Sequence, residues 1–152
     1  MVKWSDLSEA SRASSSTYDF VDFDDRPWVT PPPPGERRVA VVSSAGIHAA
    51  GDKPFAWNGH DWRSFPRAQR DFHLSHISVN FDRSGFMADH NLYLPFDRLD
   101  ELVDEGSLGS IAPTHYSFMG ASGTPEHYIP HAETVAAAMK AEGVNTVVLA
   151  PV

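Results

Sequence analysis

Two runs dominate the hydrophobic pattern of this chain: Val39-Ala40-Val41-Val42 and the stretch from Val144 to Ala150. Both are rich in β-branched residues and apolar without the alternation of a half-exposed strand. That pattern predicts central, parallel strands buried on both faces. The first run, Arg38 to Ser43, leads into Ser44-Ala45-Gly46-Ile47-His48, small residues suited to a tight turn. From Ala49 to about Asp71, the Gly, Pro, Trp and Asn residues favour a long loop. Its aromatics, Phe55, Trp57, Trp62 and Phe65, are expected to pin that loop to the domain. Phe72 to Val79 gives a second strand with weaker alternation. Phe96, Leu99, Leu102 and Val103 recur at helical spacing, and Gly106 suits the left-handed position that ends a helix. Ser107 to Pro113 reads as a short third strand. An Ala-rich helix is expected from about His131 to Glu142, with Pro130 setting its start and Gly143 stopping it.

The order strand, loop, strand, helix, strand, helix, strand predicts an α/β fold. The sheet is open and mainly parallel, with about four strands and helical crossovers. Residues 1–36 form an extended Pro/Ser/acidic arm closed by Pro31-Pro32-Pro33-Pro34-Gly35, which forbids a helix there. The arm still carries Trp4, Tyr18, Phe20, Phe23 and Trp28, so it is expected to lie across the domain or a partner subunit. Residues 37–152 form the α/β domain. In such sheets the ligand crevice lies beyond the carboxyl ends of the strands. That rule singles out Ser44 to His48, His76 to Asn80, Pro113 to Met119 and Pro151-Val152.

Composition narrows the function. The net charge of −8 and the single basic pair Arg37-Arg38 argue against nucleic acid as a partner. With no cysteine, disulfides, thiolate metal sites and a thiol nucleophile are absent from these 152 residues. No signal core or membrane-length apolar run is present, so a cytoplasmic location without membrane contact is expected.

The eight histidines bring metal binding into question. His48, His76 and His115 follow successive predicted strand ends and are expected to face one cavity. No zincin-like spacing accompanies them, and no metal ligand is assigned. Asp89 and Asn91 precede a helix, where they either orient a polar ligand or cap the loop, capping being the commoner role. No Gly-x-Ser-x-Gly elbow, dinucleotide fingerprint or Walker loop occurs.

Several pieces then follow one pattern in order: Val39 to His48 (VAVVSSAGIH), Ser75-His76, the spaced Asp82, Asp89 and Asn91, Pro95-Phe96-Asp97-Arg98-Leu99, and Ile111 to Gly120. Together they resemble the selenoprotein B subunit of the glycine, sarcosine, betaine and D-proline reductases. The resemblance runs from about Trp28 to Val152. Members of that family cleave carbon–nitrogen bonds reductively, through a selenocysteine or sometimes a cysteine, commonly with a pyruvoyl-bearing partner subunit.

The resemblance implies a reductase component acting on an amine or amino acid. His48, His76 and His115 would be supporting residues, and Ser44, Asp89, Asn91 and Ser117 would bind substrate. The family's reactive residue comes soon after a strand resembling Val144 to Val152, so this chain is expected to be inactive alone. It needs no cofactor of its own, a selenocysteine being expected in a full-length relative. The domain is expected to be incomplete at its carboxyl end, with UGA as the next codon. Because the last strand has no covering helix, a homo-oligomer or a partner reductase subunit is expected. The alternatives are a non-catalytic binding or scaffold subunit and a metal-dependent enzyme using the histidine cluster.

Overall fold

Strand β1 (Arg38–Ser43) is the axis of the sheet in the computed structural model, which describes residues 3–17, 29–78, 83–121 and 124–152. Three strands run parallel to it: β5 (Ser110–Ile111), β6 (Thr114–Phe118) and β7 (Thr146–Ala150). β7 pairs with β1 without a break from Val39↔Thr146 to Ser43↔Ala150. It therefore fills one flank of β1. β5 and β6 share the other flank, at Arg38↔Ser110 and Ser43↔Ser117 respectively. Beyond β6 lies β3 (Trp62–Pro66), antiparallel to it. The architecture is thus the expected α/β type, with an open, mainly parallel sheet about four strands wide.

Several boundaries differ from expectation, each for a physical reason. The segment from Phe72 does not enter the main sheet. Only Phe72–Leu74 (β4) is extended, antiparallel to β2 (Ile47–Ala49) in a separate ribbon. The supposed long loop contains β3, whose Arg63 and Phe65 are buried while its alternate residues Ser64 and Pro66 face out. Loop-forming Gly and Pro residues upstream obscured that period. The strand placed before Pro113 is two residues long, and the chain resumes as β6 after a break at Ala112-Pro113. α4 (Pro125–Ala141) starts six residues before the expected point. Thr124 and His127 form a reciprocal cap and Pro125 occupies the first turn, so the helix starts there and carries Pro130 in its interior. β7 is parallel as expected, but it is an edge strand, not a central one. Val147 is 39% exposed and Leu149 72%.

α3 (Phe96–Asp104) follows the expected spacing at Phe96 and Leu99, which are buried, and at Val103, which packs against the core, whereas Leu102 is 41% exposed; Gly106 adopts φ 73° where the helix stops. Phe96 and Leu99 join Val39, Val41, Ile47, Phe65 and Leu94 in one core on that face of β1. Each large aliphatic or aromatic residue buried there contributes about 2 kcal/mol. The loop aromatics behave as expected. Phe55 and Phe65 are buried, and the Arg63 guanidinium lies 4.5 Å over the Phe55 ring, donating to the Lys53 and Pro54 carbonyls. Trp57 alone among them points outward.

Within the arm, Glu9–Ser15 (α1) is helical, capped by Ser8, with no buried residue. The arm aromatics Tyr18, Phe20, Phe23 and Trp28, and the positions Val79, Asn80 and Asp82, lie outside the described residues. No described helix is long and apolar enough to cross a membrane.

Candidate functional site

The carboxyl ends of β1, β6 and β7 meet at Ser44. Its main-chain N–H donates to the Ala150 carbonyl at 3.1 Å, and its carbonyl accepts from Gly120 N–H at 2.9 Å. The side chain completes the junction. Ser44 Oγ accepts from Val152 N–H at 2.8 Å and lies 3.4 Å from the Val152 main-chain oxygen. One serine therefore ties the exits of all three strands together. Two glycines make room for it. A Cβ on Gly120 would lie 2.8 Å from Ser44 Cβ and 2.9 Å from its carbonyl oxygen, and Gly46 holds φ 63° against Met119. Gly46 also continues the stitching, donating to Phe118 O and accepting from Ser75 N–H, both at 2.9 Å.

Beside this junction lies an open, apolar hollow of about 330 Å³, lined by Val42, Ser43, Ser44, Phe118, Leu149, Ala150 and Pro151. It sits where an open parallel sheet is expected to bind ligands. Ser44 and Pro151 line it, and Val152 is bonded to Ser44.

The three histidines do not share it. His48 is buried, its Nδ1 3.0 Å from Ser75 Oγ and its ring stacked on His73 at 5.6 Å. Burial, and secondarily His73, lowers its pKa. His76 is also buried, its Nδ1 accepting from Ser78 N–H at 3.2 Å. Burial and then Arg83 lower its pKa, while main-chain contact with Val152 acts the other way. Of the three, only His76 therefore adjoins the strand-end junction.

His115 belongs to the core. Its ring packs 4.5 Å from Phe96, and its Nδ1 accepts from Val41 N–H at 3.0 Å. Val41 points its N–H at the break between β5 and β6, where no main-chain carbonyl arrives, and the imidazole fills that place. Nδ1 as acceptor puts the proton on Nε2, the neutral form. Burial, reinforced by Arg67, pulls the pKa down to about 4. The single-cavity expectation is thus corrected. It rested on a strand ending at Pro113, whereas His115 stands inside β6. No group of three or more residues able to hold a metal ion occurs among the described residues.

The remaining candidates make local contacts. Asp89 accepts from Asn91 N–H at 2.9 Å, which lowers its pKa. Asn91 in turn accepts from Asp97 N–H at 3.0 Å and donates to its carboxylate at 2.9 Å, fixing the first turn of α3. Ser117 is fully buried, its Oγ accepting from Ile47 N–H at 3.0 Å. Of the four polar candidates, Ser44 alone reaches the strand-end hollow. Sequence reasoning did not single out Gly120. Its signal is the need for a residue without a side chain against the β1 turn, which only the tertiary contact exposes.

The description of the matching family is glycine/sarcosine/betaine reductase selenoprotein B, and its match covers residues 35–152. The D-proline reductase subunit gamma of Acetoanaerobium sticklandii is 30% identical over 133 residues, covering 80% of this chain and 54% of that protein. The chain thus spans about half the length of the curated relative it matches. No solved structure matches.

Proposed function

The chain belongs to the glycine/sarcosine/betaine reductase selenoprotein B family, and from that premise we propose that it is a component of a reductase cleaving a carbon–nitrogen bond in an amine or amino acid. Such cleavage delivers an electron pair and protons. The carbon gains hydrogen and the nitrogen leaves as an amine. A soft nucleophile must start it, and these 152 residues contain no cysteine. Their role in this reading is to build the crevice and to hold Pro151-Val152, the residues after β7, beside it. Ser44 sets the direction, and His76 stands beside Val152 as the group able to orient or exchange a proton. The homologue is itself a reductase subunit, which supports work alongside a partner subunit bearing the activated amine.

The observation that carries the reading is the junction at Ser44, because it fixes Val152 over the carboxyl ends of three strands. The test is an assay of the purified chain with D-proline, glycine, sarcosine and betaine under a dithiol reductant, with and without a pyruvoyl-bearing reductase subunit. The expected outcome is no turnover by the chain alone and association with that subunit in sedimentation. Dithiol-dependent turnover without any other protein, or no association at high concentration, refutes the reading.

A further inference from the structure

A second concavity, of about 450 Å³, lies away from the strand-end hollow, between β4 and the short helix α2 (Ser84–Ala88). One wall is an open strand edge. Asp71 O accepts from Ala50 N–H, and Ser75 N–H donates to Gly46 O, so positions 71, 73 and 75 face β2. The alternation of an antiparallel pair then turns the N–H and C=O groups of Phe72 and Leu74 to the other side. Those four main-chain groups have no hydrogen-bond partner among the described residues. Both residues line the concavity.

The rest of the lining sets two arginines and one carboxylate among apolar and histidine side chains. Arg70 bonds through Nη1 to the Arg67 and Gln69 carbonyls, while its Nε and Nη2 stand 3.8 and 3.6 Å from Asp97 and Asp100. Those distances exceed a hydrogen bond, so both groups keep donors for a closer acceptor. Arg83 is held by the His76 and Ser78 carbonyls and adds its charge in place. His90, its Nε2 3.5 Å from Asp97, lines the same space, and Asp71 is the one carboxylate among the described lining residues. Opposite the edge stands Met87, 82% exposed.

We propose that this groove binds an extended peptide segment of a partner protein, one alternating acidic and apolar residues, as a strand added to β4. The spacing favours a backbone over a small anion. Phe72 and Leu74 present donor and acceptor together, about 7 Å apart, the two-residue repeat of a strand. A lone carboxylate would use the donors and leave both carbonyls unmet. Acidic side chains of the peptide would face Arg70 and Arg83, and apolar ones would cover Met87. The proposal stands apart from the reductase reading, since it uses neither Ser44 nor the strand-end hollow.

The test titrates the full chain with an acetylated heptapeptide alternating Phe and Asp, read by amide NMR and fluorescence anisotropy. Saturable binding with the largest amide shifts at Phe72 and Leu74 is expected. N-methylation of the peptide amides along one edge should weaken binding about tenfold, and along the other edge hardly at all. Arg70→Gln should weaken it by a similar factor with the fold unchanged. Equal binding of both N-methylated isomers, binding of free acetate at the same site with the same affinity, or shifts centred elsewhere overturns the proposal.

Discussion

β1 and β7 lie side by side in register over five residues, yet their surroundings have little in common. β1 has strands on both flanks, and Val39, Ala40 and Val41 are all buried. β7 has one neighbouring strand among the described residues and alternates, with Val148 packed against the core while Val147 and Leu149 face out. The lesson lies in what each flank of β1 needs. The β7 flank is an unbroken ladder and requires nothing from side chains. The other is split between β5 and β6, and a buried imidazole supplies the missing acceptor. The continuous side is exposed and tolerant. The interrupted side is closed and carries the polar weak point.

Acid is the strongest probe of that difference. His115 binds its proton at about 4 in the folded chain against an ordinary 6.5. Between those values the unfolded chain takes up a proton that the folded chain refuses. Stability from this residue is therefore fully present above pH 6.5, falls as pH drops towards 4, and levels off below it. The loss amounts to about 3 kcal/mol. Denaturant titrations from pH 7 to 4, with exchange of the Val41 amide, measure it. In a His115→Gln variant, which keeps a polar side chain that does not titrate, the slope over this window should shrink. An unchanged slope removes His115 from the account.

Trimming the two strands gives the next contrast. Val41→Ala should cost about 2 kcal/mol through lost burial and a cavity. Leu149→Ala should stay within about 0.5 kcal/mol, as expected for a site that is 72% exposed. Equal midpoints in thermal melts would mean that β7 is covered in solution, which would point to the self-association that its bare edge invites.

A loss smaller than that at Val41 belongs at the end of β7. Ser44→Ala should cost about 1 kcal/mol and free the Val152 amide for exchange, leaving the ladder intact up to Ala150. Gly120→Ala should produce the same release from the other side by pushing Ser44 away. Protection of Val152 retained in both variants breaks the claim that Ser44 governs the strand's exit.

Much of this was legible in the chain itself. The β-branched runs determined that β1 and β7 are strands, because residues of that shape without alternation fit a packed sheet. Helical spacing and Gly106 located α3, because both signals are local. Asp89 and Asn91 make the capping contacts expected of Asx residues before a helix. The family resemblance was carried by short ordered pieces whose match extends over residues 35–152.

Tertiary structure alone decided the rest. Whether an apolar run is central or at the edge depends on how many neighbours reach it, and Val144 to Ala150 holds no record of that number. His48, His76 and His115 look equivalent as residues near strand ends. Their roles differ because one meets Ser75, one meets the end of β7, and one fills a gap between two strands. Partners supplied from 27 and 74 residues away, as for His48 with Ser75 and Val41 with His115, leave no trace in local spacing. Side-chain chemistry was set by the sequence, and the assignment of each polar group to its partner by the folding of distant segments onto one another.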